Sequence, residues 1–310
     1  MSSRIAFVFP GQGSQSVGML AQLGQQHAVV QSTFEQASQV LGYDLWQLVQ
    51  EDTEGKLNQT QITQPALLTA SVALWRLWQE QGGATPSVMA GHSLGEYSAL
   101  VCAGALDFED AVRLVEARGQ FMQAAVPAGE GAMAAIIGLA DDAVMAACEA
   151  STQGQVVAPV NYNSPGQVVI AGSKAAVERA MAACKEAGAK RALPLPVSVP
   201  SHCALMQPAA DQLQATLANM QVSLPSIPVI QNVDAQVATS SATIVSNLVA
   251  QLHQPVLWSQ CVQAIATSGV ELVIECGPGK VLSGLSKRID KSLQAAIIND
   301  TAGLMAALEL

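Results

Sequence analysis

The stretch VMAGHSLGEYSAL, residues 88–100, constrains the fold more than any other part of the chain. A short apolar run meets Gly91-His92-Ser93-Leu94-Gly95 and passes directly into helix-forming residues. This is G-x-S-x-G in a strand, sharp turn, helix setting. On so tight a turn the backbone folds back on itself two residues either side of the serine, and only residues without bulky side chains fit there. Gly91 and Gly95 supply that room. The turn holds the Ser93 hydroxyl out of the sheet and aims the amide of Leu94, first in the helix, at the place where an oxyanion would form. Ser93 therefore reads as a nucleophile, against the plainer reading of a Gly-bounded turn with an exposed serine.

The rest of the chain suits an α/β fold. Residues 4–9 (RIAFVF) form a continuous apolar run of the kind buried parallel strands show, and the run ends in Pro10-Gly11-Gln12-Gly13-Ser14-Gln15. The loop misses a dinucleotide fingerprint because Ser16 stands at its third glycine. Gln12, between two glycines, is either a backbone amide brought close to a reacting centre or part of a plain tight turn. Helical patterns cover 27–50 and 64–81. The second is almost uncharged and so buried on most sides, with Gln64-Pro65 at its start. Past residue 200 come a helix at 206–220, an apolar run at 227–230, a helix near 244–252 and a last buried strand at 271–275 leading into Gly277-Pro278-Gly279. A mainly parallel sheet would bring this loop, Gln12 and Ser93 together at its carboxyl edge.

Between Pro127 and Pro200 the texture changes. The order is strand 132–139, helix 141–150, strand 156–161, strand 167–171, helix 174–187, strand 191–197, with Asp141 and Ser173 as expected N-caps and Gly188 as a C-cap. That βαββαβ order is the ferredoxin-like pattern, so residues 127–198 form an inserted subdomain in a core made of 1–126 and 199–310.

Two further features bear on chemistry. In the helix at 107–126, Ala111, Leu114, Val115, Phe121 and Met122 share one face, and Arg118 falls in the middle of it. A guanidinium there stays charged and needs an anion, either an internal carboxylate, the commoner arrangement, or a ligand's. A serine nucleophile also needs a base. His92 adjoins Ser93 and points away from it, and His27 lies in a polar stretch. His202, at a loop-to-helix junction after the serine, is favoured over His253. No acidic residue stands out as a third member, which leaves a carbonyl to hold the imidazole.

Composition excludes several classes. The formal charge of −10 argues against nucleic acid, and no apolar run is long enough to span a membrane or serve as a signal peptide. Six scattered cysteines, without metal-ligand spacing, indicate reduced core residues in a cytoplasmic protein with no metal.

GQGSQ, GHSLGEYSALVCAG, EARGQFM, VPSHCALM, QLHQPVLW and ECGPGKVLSGL, in that order, together resemble the acyltransferase family that is also built into polyketide and fatty-acid synthases. The resemblance implies a hydrolase-like α/β core carrying the ferredoxin-like insert. It implies transfer of malonyl from malonyl-CoA to the phosphopantetheine thiol of acyl carrier protein through an ester on Ser93, for fatty acid biosynthesis, with no cofactor, in a monomer. Under it His202 is the base, the carbonyl of Gln251 holds His202, the amides of Gln12 and Leu94 form the oxyanion hole, and Arg118 binds the malonyl carboxylate. Gln64, His92, Ser201 and Met122 join Arg118 as substrate-binding candidates. Lys190, Arg191, Lys280, Lys287 and Arg288 are candidates for contact with the acidic carrier or with the CoA phosphates. An esterase or thioesterase would share Ser93 and His202 without needing Arg118, a polyketide-pathway acyltransferase would share them all, and a non-catalytic carrier-binding scaffold would need neither Ser93 nor His202.

Overall fold

The structure, a computed structural model, describes residues 4–197 and 199–310. The expected boundary at 198 falls on a residue outside that set.

The first strand shows how the core is laid out. β1 (Ile5–Phe9) is buried along its whole length, and its alternate side chains enter two different clusters. Phe7 and Phe9 face one side, where Phe7 meets Trp75 and Trp78 edge-on with ring centroids 5.3 Å away, while Ala6 and Val8 face the other. A strand packed on both faces needs helices on both faces, which explains its unbroken apolar sequence. The first face is covered by α1 (Ala21–Gln26), α2 (Ala28–Leu41), α3 (Leu45–Glu51) and α4 (Thr60–Glu80), ahead of β2 (Val88–Gly91), and then by α5 (Leu94–Cys102) and α6 (Phe108–Ala125).

The single helix expected at 27–50 is broken at Gly42, which adopts φ 77°, and restarts where the Asp44 carboxylate accepts from the Gln47 amide. α4 begins at Thr60, four residues before the expected start, so Pro65 lies inside the helix rather than at its first turn. Every residue from Thr63 to Trp75 is buried. Gln64 therefore acts through its side chain, and no free amides are presented there.

The segment after α6 builds its own sheet. β3 (Gly131–Ile137), α7 (Asp141–Ala150), β4 (Val157–Ser164), β5 (Gln167–Ser173), α8 (Lys174–Glu186) and β6 (Arg191–Pro194) give a four-stranded antiparallel sheet in the order β4-β5-β3-β6. Ala134, Ile136, Val168 and Ile170 pack on α7 and α8. The opposite face, Met133, Val169 and Ala171, meets Cys203. Ala140, not Asp141, holds the N-cap position of α7, and Ser173 caps α8 without a side-chain hydrogen bond.

The chain then adds a 3-10 turn (Ala204–Met206), α9 (Gln207–Leu217), β7 (Val229–Ile230), α10 (Ser241–Gln251), α11 (Trp258–Thr267), β8 (Leu272–Glu275), α12 (Val281–Ile289), β9 (Gln294–Ile297) and α13 (Thr301–Leu308). The main sheet is parallel throughout, in the order β7-β2-β1-β8-β9. β8 is not the last strand. β9 follows it at the sheet's edge, half exposed, and so lacks the continuous apolar run that marks the buried strands. No helix among the described residues is long and apolar enough to cross a membrane.

Candidate active site

The carboxyl ends of β1 and β2 lie side by side, with Phe9 opposite Gly91 and the His92 amide donating to the Phe9 carbonyl at 3.0 Å. Immediately beyond, Ser93 takes φ 53° and ψ −109°, a conformation rare for any residue with a side chain and persisting only where the surroundings enforce it. The enforcement is steric. A Cβ on Gly91 would lie 1.9 Å from the Gly95 backbone, and one on Gly95 would lie 2.0 Å from the Phe9 carbonyl oxygen. Asn232, just past β7, clamps the turn from the other side: its Oδ1 accepts the Ser93 amide at 2.7 Å and its Nδ2 donates to the Gly91 carbonyl at 2.7 Å.

His202 stands opposite, its Nε2 2.8 Å from Ser93 Oγ. It too has a left-handed backbone, φ 64°, with its amide tied to the Leu252 carbonyl at 3.0 Å. Its Nδ1 lies 2.6 Å from the carbonyl oxygen of Gln251, an acceptor only. Nδ1 must therefore carry the proton, which leaves Nε2 free to accept from the Ser93 hydroxyl. Gln251 is the last residue of α10, so its carbonyl belongs to the turn that has no partner within the helix and sits at the negative end of the dipole. A helix terminus here occupies the place an aspartate takes in a full triad. At the far side of Ser93 the N-terminus of α5 presents the Leu94 amide, and neither it nor the Gln12 amide has an acceptor among the described residues.

Arg118 lies on α6 and is 1% exposed. α6 approaches α4 closely at Gly119, where a Cβ would come within 2.5 Å of Gln61 Cα, and this sets Arg118 beside Gln64. The guanidinium donates to Gln64 Oε1 at 2.7 Å and Gln251 Oε1 at 2.9 Å, reaches Ser93 Oγ at 3.5 Å, and lies over the Tyr97 ring at 5.2 Å. The ion pairs among the described residues are Lys56–Glu54, Arg113–Glu109 and Arg113–Asp110, none of which involves Arg118. Its Nε has no partner. The commoner arrangement, an internal ion pair, is thus not the one found.

Burial, with the positive charge of Arg118 beside it, lowers the His202 imidazole to about 3. The ring stays neutral, the form a base requires. Burial pushes the Glu96 carboxyl up to about 7, against the pull of donors from the Asn232 amide (2.8 Å), Gln251 Nε2 (3.1 Å) and Gln231 Nε2 (3.3 Å).

Gln12, His92, Ser93, Leu94, Arg118, Met122, Ser201 and His202 line one cavity, with Asn161 and an apolar wall of Met133, Leu195, Val197 and Val199. His92 turns away from Ser93, its Nε2 2.8 Å from Asn163 Oδ1. Gln64 is buried beneath Arg118 rather than in the lining. Gly277, of the Gly-Pro-Gly loop, packs against Pro10 and also lies outside the cavity.

The basic residues divide. Arg288 donates to Gln167 Oε1 at 3.0 Å, and Gln167 pairs with Ile137, which pairs with Arg191; the Lys190 stem lies along Gly138, next to Ile137. Lys190, Arg191 and Arg288 therefore share one end of the antiparallel sheet, with Lys287 adjoining Arg288 in α12. Lys280 stands apart from them, about 12 Å away at the other end of α12 beside the Ser14 loop. Asn232, Glu96, Asn161 and Asn163 escaped the reading of the sequence. Of these Glu96 carried a signal, a lone acid in the otherwise uncharged helix after Ser93.

Among the described residues no cluster of His, Cys, Asp or Glu could hold a metal ion. Residues 6–305 match the family described as acyl transferase domain. The malonyl CoA-acyl carrier protein transacylase of Salmonella typhimurium is 63% identical over 306 residues, covering 99% of each chain. The crystal structure of an acyl carrier protein S-malonyltransferase from Vibrio cholerae superposes with a TM-score of 0.96 at 63% identity, covering 98% of this chain and 99% of that one. A malonyl-transacylase solved in complex with its type II PKS acyl-carrier protein gives 0.98 at 60% identity, covering 99% of both.

Proposed function

This chain belongs to the acyl transferase family, and from that membership and the site we propose that it moves malonyl from malonyl-CoA to the phosphopantetheine thiol of acyl carrier protein, supplying fatty acid biosynthesis. Ser93 Oγ attacks the thioester carbonyl while its proton passes to His202 Nε2. The amides of Gln12 and Leu94 receive the oxyanion, helped by the positive end of α5. Collapse breaks the C–S bond, and CoA sulfur leaves with the proton held on His202. In the second half the carrier thiol gives its proton to His202, attacks the malonyl ester and restores Ser93. The apolar wall disfavours water as the competing nucleophile.

The single observation that carries this reading is Arg118: a buried cation beside the nucleophile, with no carboxylate of its own and an unpaired Nε, suits an acyl group that ends in a carboxylate. A plain esterase has no use for it. The insert's strand order supports a ferredoxin-like unit spanning 127–198, and the strand, turn and helix around Ser93 support a hydrolase-like core in the remainder. Six free cysteines, raised by burial, suit a cytoplasmic setting without thiol chemistry.

Lys190, Arg191, Lys287 and Arg288 form the docking face for the acidic carrier. Gln167 pairs with Ser164, and the preceding Asn163 holds His92 at the cavity, so the face adjoins the site along β4. Changing Lys287 and Arg288 to Glu should slow transfer to the carrier about tenfold or more and weaken its salt dependence, while malonylation of Ser93 by malonyl-CoA stays within about twofold. Equal loss in both half-reactions would assign the patch to CoA instead.

The neutral imidazole also predicts a pH profile. With acetyl-CoA, whose acyl group has no carboxylate, acylation of Ser93 should hold within about twofold from pH 7.5 to 5.5. An imidazole at its ordinary value would lose about tenfold by protonation over that range. A break near 6.5 in single-turnover rates would contradict the lowering of the His202 imidazole by burial and Arg118.

A further inference from the structure

A buried arginine is ordinarily neutralised by a carboxylate, yet both groups that hold Arg118 are carboxamides. Each is oriented by its amide end. Gln64 Nε2 donates to Met122 Sδ at 3.5 Å, which leaves Oε1 facing Arg118. Gln251 Nε2 donates to the Ser93 carbonyl at 3.0 Å, Glu96 Oε2 at 3.1 Å and Asn232 Oδ1 at 3.4 Å, all acceptors, so half a turn of that carboxamide would set oxygen against three oxygens. Among the described residues, the fully buried carboxylates are Glu96 and Glu275. Glu275 is spent on the Leu282 and Ser283 amides at the start of α12, whereas Glu96 lies one carboxamide away from Arg118.

We propose that Gln64 and Gln251 determine acyl specificity, because their two side-chain carbonyls hold the Arg118 guanidinium in place without neutralising it, with Glu96 fixing the orientation of Gln251. The inference rests on the malonyl-transfer reading above. A carbonyl dipole accepts the hydrogen bond yet carries no net charge, so the cation's attraction for an incoming carboxylate is preserved. A glutamate in either place would make a tighter local pair, occupy the cation and repel the substrate's carboxylate. Gln64 takes one N–H of NH1 and Gln251 one of NH2, so most of the five guanidinium donors remain for a carboxylate, and NH2 is the nitrogen that reaches Ser93 Oγ, at 3.5 Å. Glu96 touches the carboxamide of Gln251 and not the guanidinium, so it fixes the clamp without occupying the cation.

The test is competition. The enzyme is mixed with equal malonyl-CoA and acetyl-CoA, and the ratio of malonyl to acetyl on Ser93 is read by intact mass. A ratio within one preparation does not depend on how much of it is folded. Gln64→Glu should lower the ratio by about 100-fold or more, whereas Gln64→Met and Gln251→Met, which remove the acceptor and add no charge, should lower it by about tenfold. A wild-type ratio in Gln64→Glu, or Met variants falling as far as the Glu variant, would overturn the neutral clamp. A wild-type enzyme with no malonyl preference would overturn the malonyl-transfer reading and the clamp with it, while a wild-type preference that survives Gln64→Glu overturns the clamp alone.

Discussion

Ser93→Ala is expected to lower malonyl transfer by about 10⁴- to 10⁶-fold, to the level left when a nucleophile is removed from an otherwise intact site. The size follows from the geometry. Ser93 Oγ alone is within reach of the His202 nitrogen, at 2.8 Å, and of Arg118, at 3.5 Å. Nearby Ser201 lines the same cavity but hydrogen-bonds neither group, so it offers no substitute. Because alanine removes one oxygen and leaves Gly91, Gly95 and Asn232 to hold the turn, thermal unfolding should stay close to wild type. Transfer within tenfold of wild type in the alanine variant would remove Ser93 from the mechanism.

Arg118→Ala should separate the two acyl groups. Deleting one partner of a desolvated charge pair costs about 2–5 kcal/mol, which corresponds to about 30-fold to several thousand-fold in kcat/KM for malonyl-CoA. Acetyl-CoA has no carboxylate to lose and should suffer far less. It should also benefit from a more basic His202, since the positive charge that depresses the imidazole is gone. Parallel measurement of kcat/KM for both thioesters decides the matter: equal losses would make Arg118 a structural cation, held by Gln64 and Gln251 for the sake of the fold.

What could be read in the sequence was what carries a local signature. Ser93 announced itself through two glycines and a change of pattern from strand to helix, and the positive φ at that residue is what those glycines permit. Arg118 stood out as a charge in an apolar stripe, whereas the capping of its helix by Asp107 came only from the structure. His202 was found by position and elimination. The carbonyl of Gln251 came from resemblance, because a backbone oxygen leaves no mark in a sequence. Asn232 and the Glu96 contacts were hidden for a related reason: they join residues more than 130 positions apart, and neither residue type announces a partner at that range. The expected first turn at Gln64-Pro65 failed because Thr60 to Thr63 extend the helix backwards and tertiary packing keeps a proline inside it. β9 went unseen because an edge strand needs no apolar run.

Where the acyl group rests between its two carriers decides the mechanism. Enzyme incubated with malonyl-CoA, freed of nucleotide and examined by intact mass and peptide mapping, should carry a single malonyl ester on Ser93 that persists in buffer and is discharged when holo acyl carrier protein is added, appearing on the carrier's thiol. An adduct on another residue, an ester that water removes as fast as the carrier does, or no adduct at all would contradict it.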